Sequence, residues 1–148
     1  MKVSQLSLFV ENRPGQLVRP CRILADAGIS IITLSLADTG EFGILRLIVD
    51  RCDAAEVALT AAGLVVQRTE VIALQIPDRP GGLAEVLTVI EGEGVSIEYM
   101  YAFTYGRDGS AILVFRFTDA DAAIPALVRA GLAVVAPVSL GQKPHDPA

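Results

Sequence analysis

The sequence predicts an α+β protein made of two tandem βαββαβ modules. Each module is expected to form an antiparallel sheet with two helices on one face, the arrangement called ferredoxin-like. Two observations carry this prediction. The 148-residue chain repeats itself once along almost its whole length, and each copy alternates between strand-like and helix-like hydrophobic patterns. Two copies with a period above about 50 residues indicate a duplicated domain rather than a solenoid of short repeats.

The repeat is carried by identical residues at a nearly constant spacing. In the first half of each copy the offset is 66 positions, and in the second half it is 68, so the second copy has a hairpin loop two residues longer. The matches at 66 include Arg13 with Arg79, Pro14 with Pro80, Gly15 with Gly81 and Gly28 with Gly94. The boundary near residues 68–70 predicts modules at 1–69 and 70–138, followed by a polar flexible tail at 139–148.

The first half of each copy reads as a strand, a turn and a helix. Apolar and polar residues alternate over residues 6–11 and again over 72–76, which is typical of a half-buried strand. Asx-Arg-Pro-Gly turns follow at 12–15 and 78–81, and helical spacing then leads to Gly28 and Gly94 as natural helix ends. Pro20 is expected to kink the first helix unless it lies within the first turn.

The second half of each copy reads as a hairpin, a helix and a last strand. The strands are predicted at 29–37 with 43–50, and at 95–105 with 110–118, around turns at 38–40 and 106–109. Asp53 and Asp121 are predicted to cap alanine-rich helices that end at Gly63 and Gly131. The last strands are predicted at 64–68 and 132–138.

An aromatic stripe distinguishes the second copy. Strand alternation places Ile97, Tyr99, Tyr101, Phe103 and Tyr105 on one side of a strand, opposite Met100 and Ala102. Such a stripe either stacks nucleic-acid bases or packs against a helix, the sister module or another subunit. The chain has 12 basic and 17 acidic side chains and a net charge of −5, which is the wrong sign for a polyanion partner. Packing, and with it oligomerisation, is the favoured interpretation.

Composition also excludes several functional classes. No apolar run approaches the ~20 residues that span a bilayer, and the N-terminus does not resemble a signal peptide, so a cytoplasmic protein without membrane contact is expected. Cys21 and Cys52 have no CxxC spacing, and no metal or cofactor motif is present. The only histidine, His145, lies in the predicted tail, so a Ser-His-Asp or Cys-His mechanism has no rigid base and an enzyme is not expected.

The two strand–turn–helix segments are the candidate sites. A strand running through Asx-Arg-Pro-Gly into a helix leaves backbone N–H groups at the helix start, where the dipole favours negative charge. Gly15, Gly81 and Gly82 let a carboxylate approach the backbone, and Asn12 or Asp78 offers acceptors to an ammonium group. This pattern suits a zwitterionic amino acid, but a turn with a helix cap requires the same residues.

The same segments resemble the ACT domain family, small ligand-binding modules attached to many enzymes of amino-acid metabolism. The resemblance rests on residues 11–17 with 27–31, and on residues 78–83 with 94–97, and it is nearest to the regulatory domains of phosphoglycerate dehydrogenase. It covers nearly the whole chain except the last ten residues. It implies amino-acid binding at interfaces between paired modules, where the turn and helix start of one module meet the strand edge of its neighbour.

Carried over residue by residue, the resemblance gives a set of candidate ligand-binding residues. They are Asn12, Arg13, Pro14, Gly15, Gln16, Leu17 and Ser30 in the first copy, and Asp78, Arg79, Gly81, Gly82, Leu83 and Ser96 in the second. Serine-binding members carry asparagine where Ser30 and Ser96 stand, and Asp78 adds a negative charge, so the resemblance does not fix serine as the ligand. Arg13 and Arg79 either clamp a carboxylate or pair with a nearby acid.

Two functional hypotheses follow. The first is a non-catalytic regulatory or sensor protein that binds a small amino acid at module interfaces and modulates its own association, as a homodimer, or an enzyme of amino-acid metabolism. Such allosteric coupling needs no catalytic residue. The second is a structural adaptor without a small-molecule ligand, in which the sheet faces serve assembly and the Asx-Arg-Pro-Gly turns only begin helices.

Overall fold

The computed structural model describes residues 1–38, 40–103, 106 and 108–143, and the chain divides into two compact units within it. Module 1 contains Ser4–Thr69 together with the described residues from Pro137 onward, and module 2 contains Met1–Val3 together with Glu70–Ala136. Each module is an antiparallel sheet with two α-helices, so the predicted α+β class is confirmed. No helix of the described residues is long and apolar enough to cross a membrane.

Module 1 follows the predicted element order. Its elements are β1 (Val3–Glu11), α1 (Val18–Asp26), β2 (Ile31–Asp38), β3 (Phe42–Val49), α2 (Cys52–Ala61) and the start of β4 (Val66–Pro77). The strands lie in the order β2-β3-β1, with β1 next to β4. Alternate residues of β1 and β3, such as Leu6, Leu8, Leu45 and Leu47, pack with Leu24 and Leu59 of the two helices. This places both helices on one face of the sheet.

Module 2 repeats the arrangement. After the second part of β4 come α3 (Gly82–Gly92), β5 (Ile97–Ala102), β6 (Ser110–Phe117), α4 (Ala120–Arg129) and β7 (Ala133–Val135). The strand order is β7-β4-β6-β5. Its core joins Ile72, Leu74 and Ile76 to Phe115 and Phe117, whose rings stack with centroids 5.8 Å apart.

One continuous strand replaces two predicted ones. The last strand of the first copy and the first strand of the second copy are both part of β4, which runs from Val66 to Pro77 without interruption. The residues at the predicted boundary, Arg68-Thr69-Glu70, include neither glycine nor proline. The chain therefore has no local reason to turn there and stays extended.

The C-terminal segment is an ordered part of module 1 as far as it is described. After β7, which is shorter than the predicted 132–138, a 3₁₀ turn covers Pro137–Leu140. Leu140 is 2% exposed and Gln142 is 5% exposed. The Gln142 side chain accepts a hydrogen bond from the Ser4 N–H and donates to the Ser4 and Val49 carbonyls. The predicted flexible tail, 139–148, thus includes packed residues up to Lys143, and the rest, with His145, lies outside the described residues.

The observed helix ends decide the predictions made for Pro20, Asp53 and Asp121. Pro20 is the third residue of α1 and so lies in the first turn, where it needs no hydrogen-bond donor. The capping prediction for Asp53 and Asp121 is wrong, because both lie inside the first turn of their helices. Asp119 caps α4 instead, with its carboxylate accepting from the Ala122 N–H at 3.1 Å. Asp53 pairs with Arg68, and Asp121 pairs with Lys2.

The aromatic stripe is altered by a β-bulge. The register between β5 and β6 shifts between Ile97 and Tyr99, so Ile97 pairs with Phe117 while Tyr99 pairs with Arg116. Ile97 therefore packs against the helix-side core rather than continuing the stripe, which corrects the predicted alternation. Phe103 is buried and Tyr99 and Tyr101 are half-buried, so these rings are no open stacking platform. Tyr105 lies outside the described residues.

Candidate ligand-binding site

The turn of module 1 is held by short backbone hydrogen bonds. The Asn12 N–H donates to the Glu41 carbonyl at 2.9 Å, the Arg13 N–H donates to the Glu11 carbonyl at 2.8 Å, and the Gln16 N–H donates to the Arg13 carbonyl at 3.2 Å. Gly15 has φ +87°, a conformation that favours glycine. This positive φ lets the chain reverse after Pro14 and enter α1 directly.

The start of α1 carries no side-chain cap. Leu17 precedes the helix, no side-chain cap is found among the described residues, and no acidic residue lies in the first turn. The first N–H groups of a helix have no partner within it, and the dipole makes this end partially positive. A ligand carboxylate would supply an acceptor at this point, where no described side chain supplies one.

A cleft of about 210 Å³ opens beside this helix start. Adjacent strands create it, because Val10 of β1 and Asp38 of β2 both pair with Gly43 of β3 and so lie in one row across the sheet. A cleft of this size has room for several water molecules and hence for a small amino acid. It is lined by Val10, Glu11, Asn12, Arg13, Leu17, Leu36, Asp38 and Gly43.

The charges in the cleft are unequal. Arg13 forms an ion pair with Glu11, so these two residues largely neutralise each other. Asp38 accepts a hydrogen bond from the Gly40 N–H at 2.8 Å, and no ion pair within the described residues engages its carboxylate. The Asn12 Nδ2 donates a long hydrogen bond to the Gly40 carbonyl at 3.4 Å. The cleft therefore offers a carboxylate for an ammonium group near a helix start suited to a carboxylate.

Sequence reasoning missed Leu36, Asp38 and Gly43. They enter the cleft through the pairing of β2, β3 and β1, which a pattern of single strands does not specify. The one sequence signal was the hairpin turn at 38–40, which places Asp38 at the end of β2. The remaining turn residue, Thr39, lies outside the described residues.

Ser30 does not join the turn within module 1. It follows the C-terminal end of α1, whereas the turn precedes the N-terminal end, and nine helical residues span about 13 Å. Its N–H donates to the Asp50 Oδ1 at 3.0 Å, and its carbonyl accepts from the Asp50 N–H at 3.1 Å. Asn12, Arg13 and Leu17 are thus brought together at the cleft, while exposed Ser30 lies at the far end of the helix.

The turn of module 2 has the same backbone design but a different environment. The Asp78 N–H donates to the Gly109 carbonyl at 3.0 Å, Gly81 has φ +84°, and within the part of the chain that the structure describes no side chain caps α3. Gly82 begins α3 so close to the preceding strand that a Cβ there would lie 2.1 Å from the Pro77 carbonyl oxygen. Leu83 packs against the module 2 core, and exposed Ser96 follows the far end of the helix.

Arg79 is fully engaged by a neighbouring acid. Its Nη1 and Nη2 donate to the two carboxylate oxygens of Glu85 at 3.0 and 2.7 Å. This hydrogen-bonded pairing lowers the pKa of the Glu85 carboxyl below its ordinary value of 4.5 and raises the pKa of Arg79. Of the two roles open to Arg13 and Arg79 in the sequence, pairing with a nearby acid is the one found for both. Arg107, in the predicted turn at 106–109, lies outside the described residues.

Other reactive side chains form no second centre. Burial raises the pKa of the Cys52 thiol to about 11, so this cysteine is an inert core residue. Phe115 and Phe117 are buried in the module 2 core. Within the ranges that the structure describes, no three histidine, cysteine or acidic side chains gather into a metal site.

Comparison with known proteins gives one family. The sequence model of the ACT domain pair matches residues 1–142. The crystal structure of protein BT0572 from Bacteroides thetaiotaomicron is similar with a TM-score of 0.88 and 36% identity, covering 97% of this chain and 98% of that one. No curated protein matches.

Two more distant structures share the fold. The regulatory subunit of aspartate kinase from Thermus thermophilus, in its ligand-free form, superposes with a TM-score of 0.60 at 18% identity, over 86% of this chain and 91% of that one. E. coli aspartokinase III in complex with aspartate and ADP superposes with a TM-score of 0.54 at 18% identity, over 87% of this chain and 32% of that one.

Proposed function

The chain belongs to the ACT domain pair family, and from this premise we propose that it is a non-catalytic regulatory protein that binds a small amino acid reversibly. Binding would change its association with itself or with an enzyme of amino-acid metabolism. Family membership and the cleft of module 1 support the proposal together. The fold of the Thermus thermophilus regulatory subunit is the same, and that protein is itself a regulatory rather than a catalytic subunit.

One observation carries the proposal. In module 1 the cleft is lined both by Leu17, at the start of α1, where no described side chain caps the helix, and by Asp38, an acid outside any described ion pair. These groups complement the carboxylate and the ammonium of an amino acid, respectively. The turn itself is held by the backbone hydrogen bonds of Asn12, Arg13 and Gln16 and uses neither group.

The exposed edge of β2 suggests how binding could be communicated. β2 is the outer strand of module 1, and its cleft-lining side chain Leu36 is half exposed two residues before Asp38. An outer strand presents unpaired backbone groups to a second copy or to a partner. A ligand lying beside this strand would favour one state of association over another, which is the requirement for regulation.

Thermal unfolding of the full chain against each of the twenty amino acids tests the proposal, with the molecular mass in solution recorded alongside. An amino acid present at about 100 times its Kd should raise the free energy of unfolding by about 2.7 kcal/mol, which corresponds to a rise of several degrees in Tm. Asp38→Asn keeps an acceptor for Gly40 but removes the charge, so it should abolish most of the rise. Glu41→Gln removes a charge from the same loop outside the cleft and is the matched control.

If both variants retain the ligand-induced rise in Tm, the amino acid binds at a site other than this cleft. No rise with any amino acid at millimolar concentration, in a protein that remains a stable oligomer, would favour the structural adaptor instead. These outcomes separate a ligand-binding role from a role in assembly alone.

A further inference from the structure

The cleft of module 1 has one apolar wall built by three separate elements. Val10 comes from β1, Leu17 from the start of α1, and Leu36 from β2. Leu17 is 43% exposed and Leu36 is 50% exposed. Single exposed leucines are common on protein surfaces, but three apolar side chains converging on a concave site with polar groups at its rim are typical of a ligand pocket.

Gly43 leaves space in the cleft beside the Leu36 side chain. A Cβ at Gly43 would lie 3.0 Å from the Leu36 Cδ1, closer than ordinary contact. The second copy has Ala111 at the matching position. The φ of Gly43 is not in the left-handed region, so glycine is not required there by backbone conformation. The absence of a side chain at this position therefore leaves space next to Leu36.

The chemistry of the wall discriminates between amino-acid side chains. Val10, Leu17 and Leu36 offer no hydrogen-bond donor or acceptor, so a ligand hydroxyl placed there would lose its water without compensation. An acidic side chain would meet Glu11 and Asp38, and the one cation lining the cleft, Arg13, is already paired with Glu11. An aliphatic side chain fits the wall at no such cost and removes the exposed apolar surfaces of Leu17 and Leu36 from water.

We propose that module 1 selects amino acids with an aliphatic side chain, of the size of valine, leucine or isoleucine, and that Leu36 and Gly43 are the residues that set this selection. The proposal rests on the function proposed above, because it assigns the side-chain pocket of that same site.

Titration calorimetry with the full chain tests the selection. Leucine, isoleucine and valine should bind at least about tenfold more tightly than serine or aspartate, since one or more methylene groups in an apolar pocket change affinity by about 10–200-fold. Tighter binding of serine, aspartate or lysine would overturn the aliphatic assignment and leave the amino-acid-binding role intact. Binding of none of the twenty amino acids would overturn the proposed function itself, and this inference with it.

Two substitutions locate the selection in the cleft. Leu36→Ser should weaken binding of leucine about tenfold or more, because it removes the apolar surface of the wall. Leu34→Ser is the matched control, since Leu34 lies two residues away on the same strand, is 47% exposed and does not line the cleft. Gly43→Ala should weaken leucine more than alanine as ligand, because the new methyl group narrows the space beside Leu36.

Circular dichroism of each variant checks that it is folded before its affinity is compared. Equal weakening by Leu36→Ser and Leu34→Ser would overturn the assignment of the pocket. Unchanged affinity for leucine in both Leu36→Ser and Gly43→Ala would overturn it as well.

Discussion

Single residues decide how each strand passes into its helix. Gly82 occupies a position where even one methyl group would overlap the Pro77 carbonyl oxygen, whereas Gly15 and Gly81 are required by their positive φ. The two modules share the Pro-Gly turn but pack it differently, because Gln16 stands in module 1 where Gly82 stands in module 2. A side chain is therefore accepted after the Pro-Gly turn of module 1 but not at the matching position of module 2.

Gly82→Ala should destabilise the protein by about 1–3 kcal/mol, because the new Cβ overlaps a backbone oxygen that cannot move without shifting β4. Gly92→Ala is the matched control at the other end of α3. Apart from its chain neighbours and the backbone of α3 itself, no atom of the described residues lies within 4 Å of a Cβ built at Gly92, so this change should gain up to about 1 kcal/mol from helix propensity. Urea unfolding of both variants measures the contrast. Equal stability of the two variants would contradict the overlap.

The Arg79–Glu85 pair makes a prediction about pH. Since Arg79 lowers the pKa of the Glu85 carboxyl, the pair contributes stability above the ordinary value of 4.5, and the contribution is lost as the pH falls through the lowered pKa. Glu85→Gln should therefore reduce the unfolding free energy at pH 7 and have no effect near pH 2. Glu91→Gln, on an acid that no ion pair engages among the described residues, serves as control. Denaturant unfolding from pH 2 to pH 7 measures the unfolding free energy of each protein. A difference between Glu85→Gln and the unchanged protein that does not vary with pH would contradict a stabilising role of the pair.

At the scale of elements, the two modules begin their second helices differently. α4 has a side-chain cap at Asp119, while Arg51 precedes α2 without one. Asp53 and Asp121 are instead the second residue of their helices, within the first turn, and form ion pairs with Arg68 and Lys2, respectively. Both copies of the repeat therefore keep this helix, but they differ in how the backbone N–H groups of its first turn find hydrogen-bond acceptors.

Asp119→Ala should destabilise module 2 by about 0.5–2 kcal/mol, since the Ala122 N–H loses its acceptor. Asp121→Ala removes only an exposed ion pair and should cost less. The unfolding free energies of the two variants provide the measurement. A larger loss for Asp121→Ala would show that the cap contributes little.

At the scale of the whole molecule, the chain ends do not stay with the module nearest in sequence. Residues 1–3 belong to module 2, and the segment from Pro137 belongs to module 1. The Lys143 N–H donates to the Asp50 carbonyl at 2.7 Å, and Asp50 in turn holds the backbone of Ser30. Module 1 therefore depends on residues that follow module 2 in the chain.

Deletion of 137–148 should destabilise module 1 by at least about 2 kcal/mol, because it removes the buried Leu140 and the hydrogen bonds of Gln142. The thiol of Cys52 is buried in module 1, so its reaction with a thiol reagent reports unfolding of that module. The urea concentration at which half of the thiol has reacted, the midpoint, should be lower in the deletion variant. Deletion of 144–148 alone is the control and should leave this midpoint unchanged. An unchanged midpoint in the longer deletion would mean that the segment is dispensable.

The sequence by itself determined the duplication, the βαββαβ order, the turns that start α1 and α3, and the exclusion of common catalytic motifs. These features depend on local patterns of spacing, glycine and proline, which act within a few residues. Only the tertiary structure decided that β4 is continuous, that Asp119 is the cap and that a bulge turns Ile97 into the core. It also brought Leu36, Asp38 and Gly43 to the turn while leaving Ser30 at the far end of α1. Those outcomes depend on strand register and on contacts between distant residues, which local pattern does not specify.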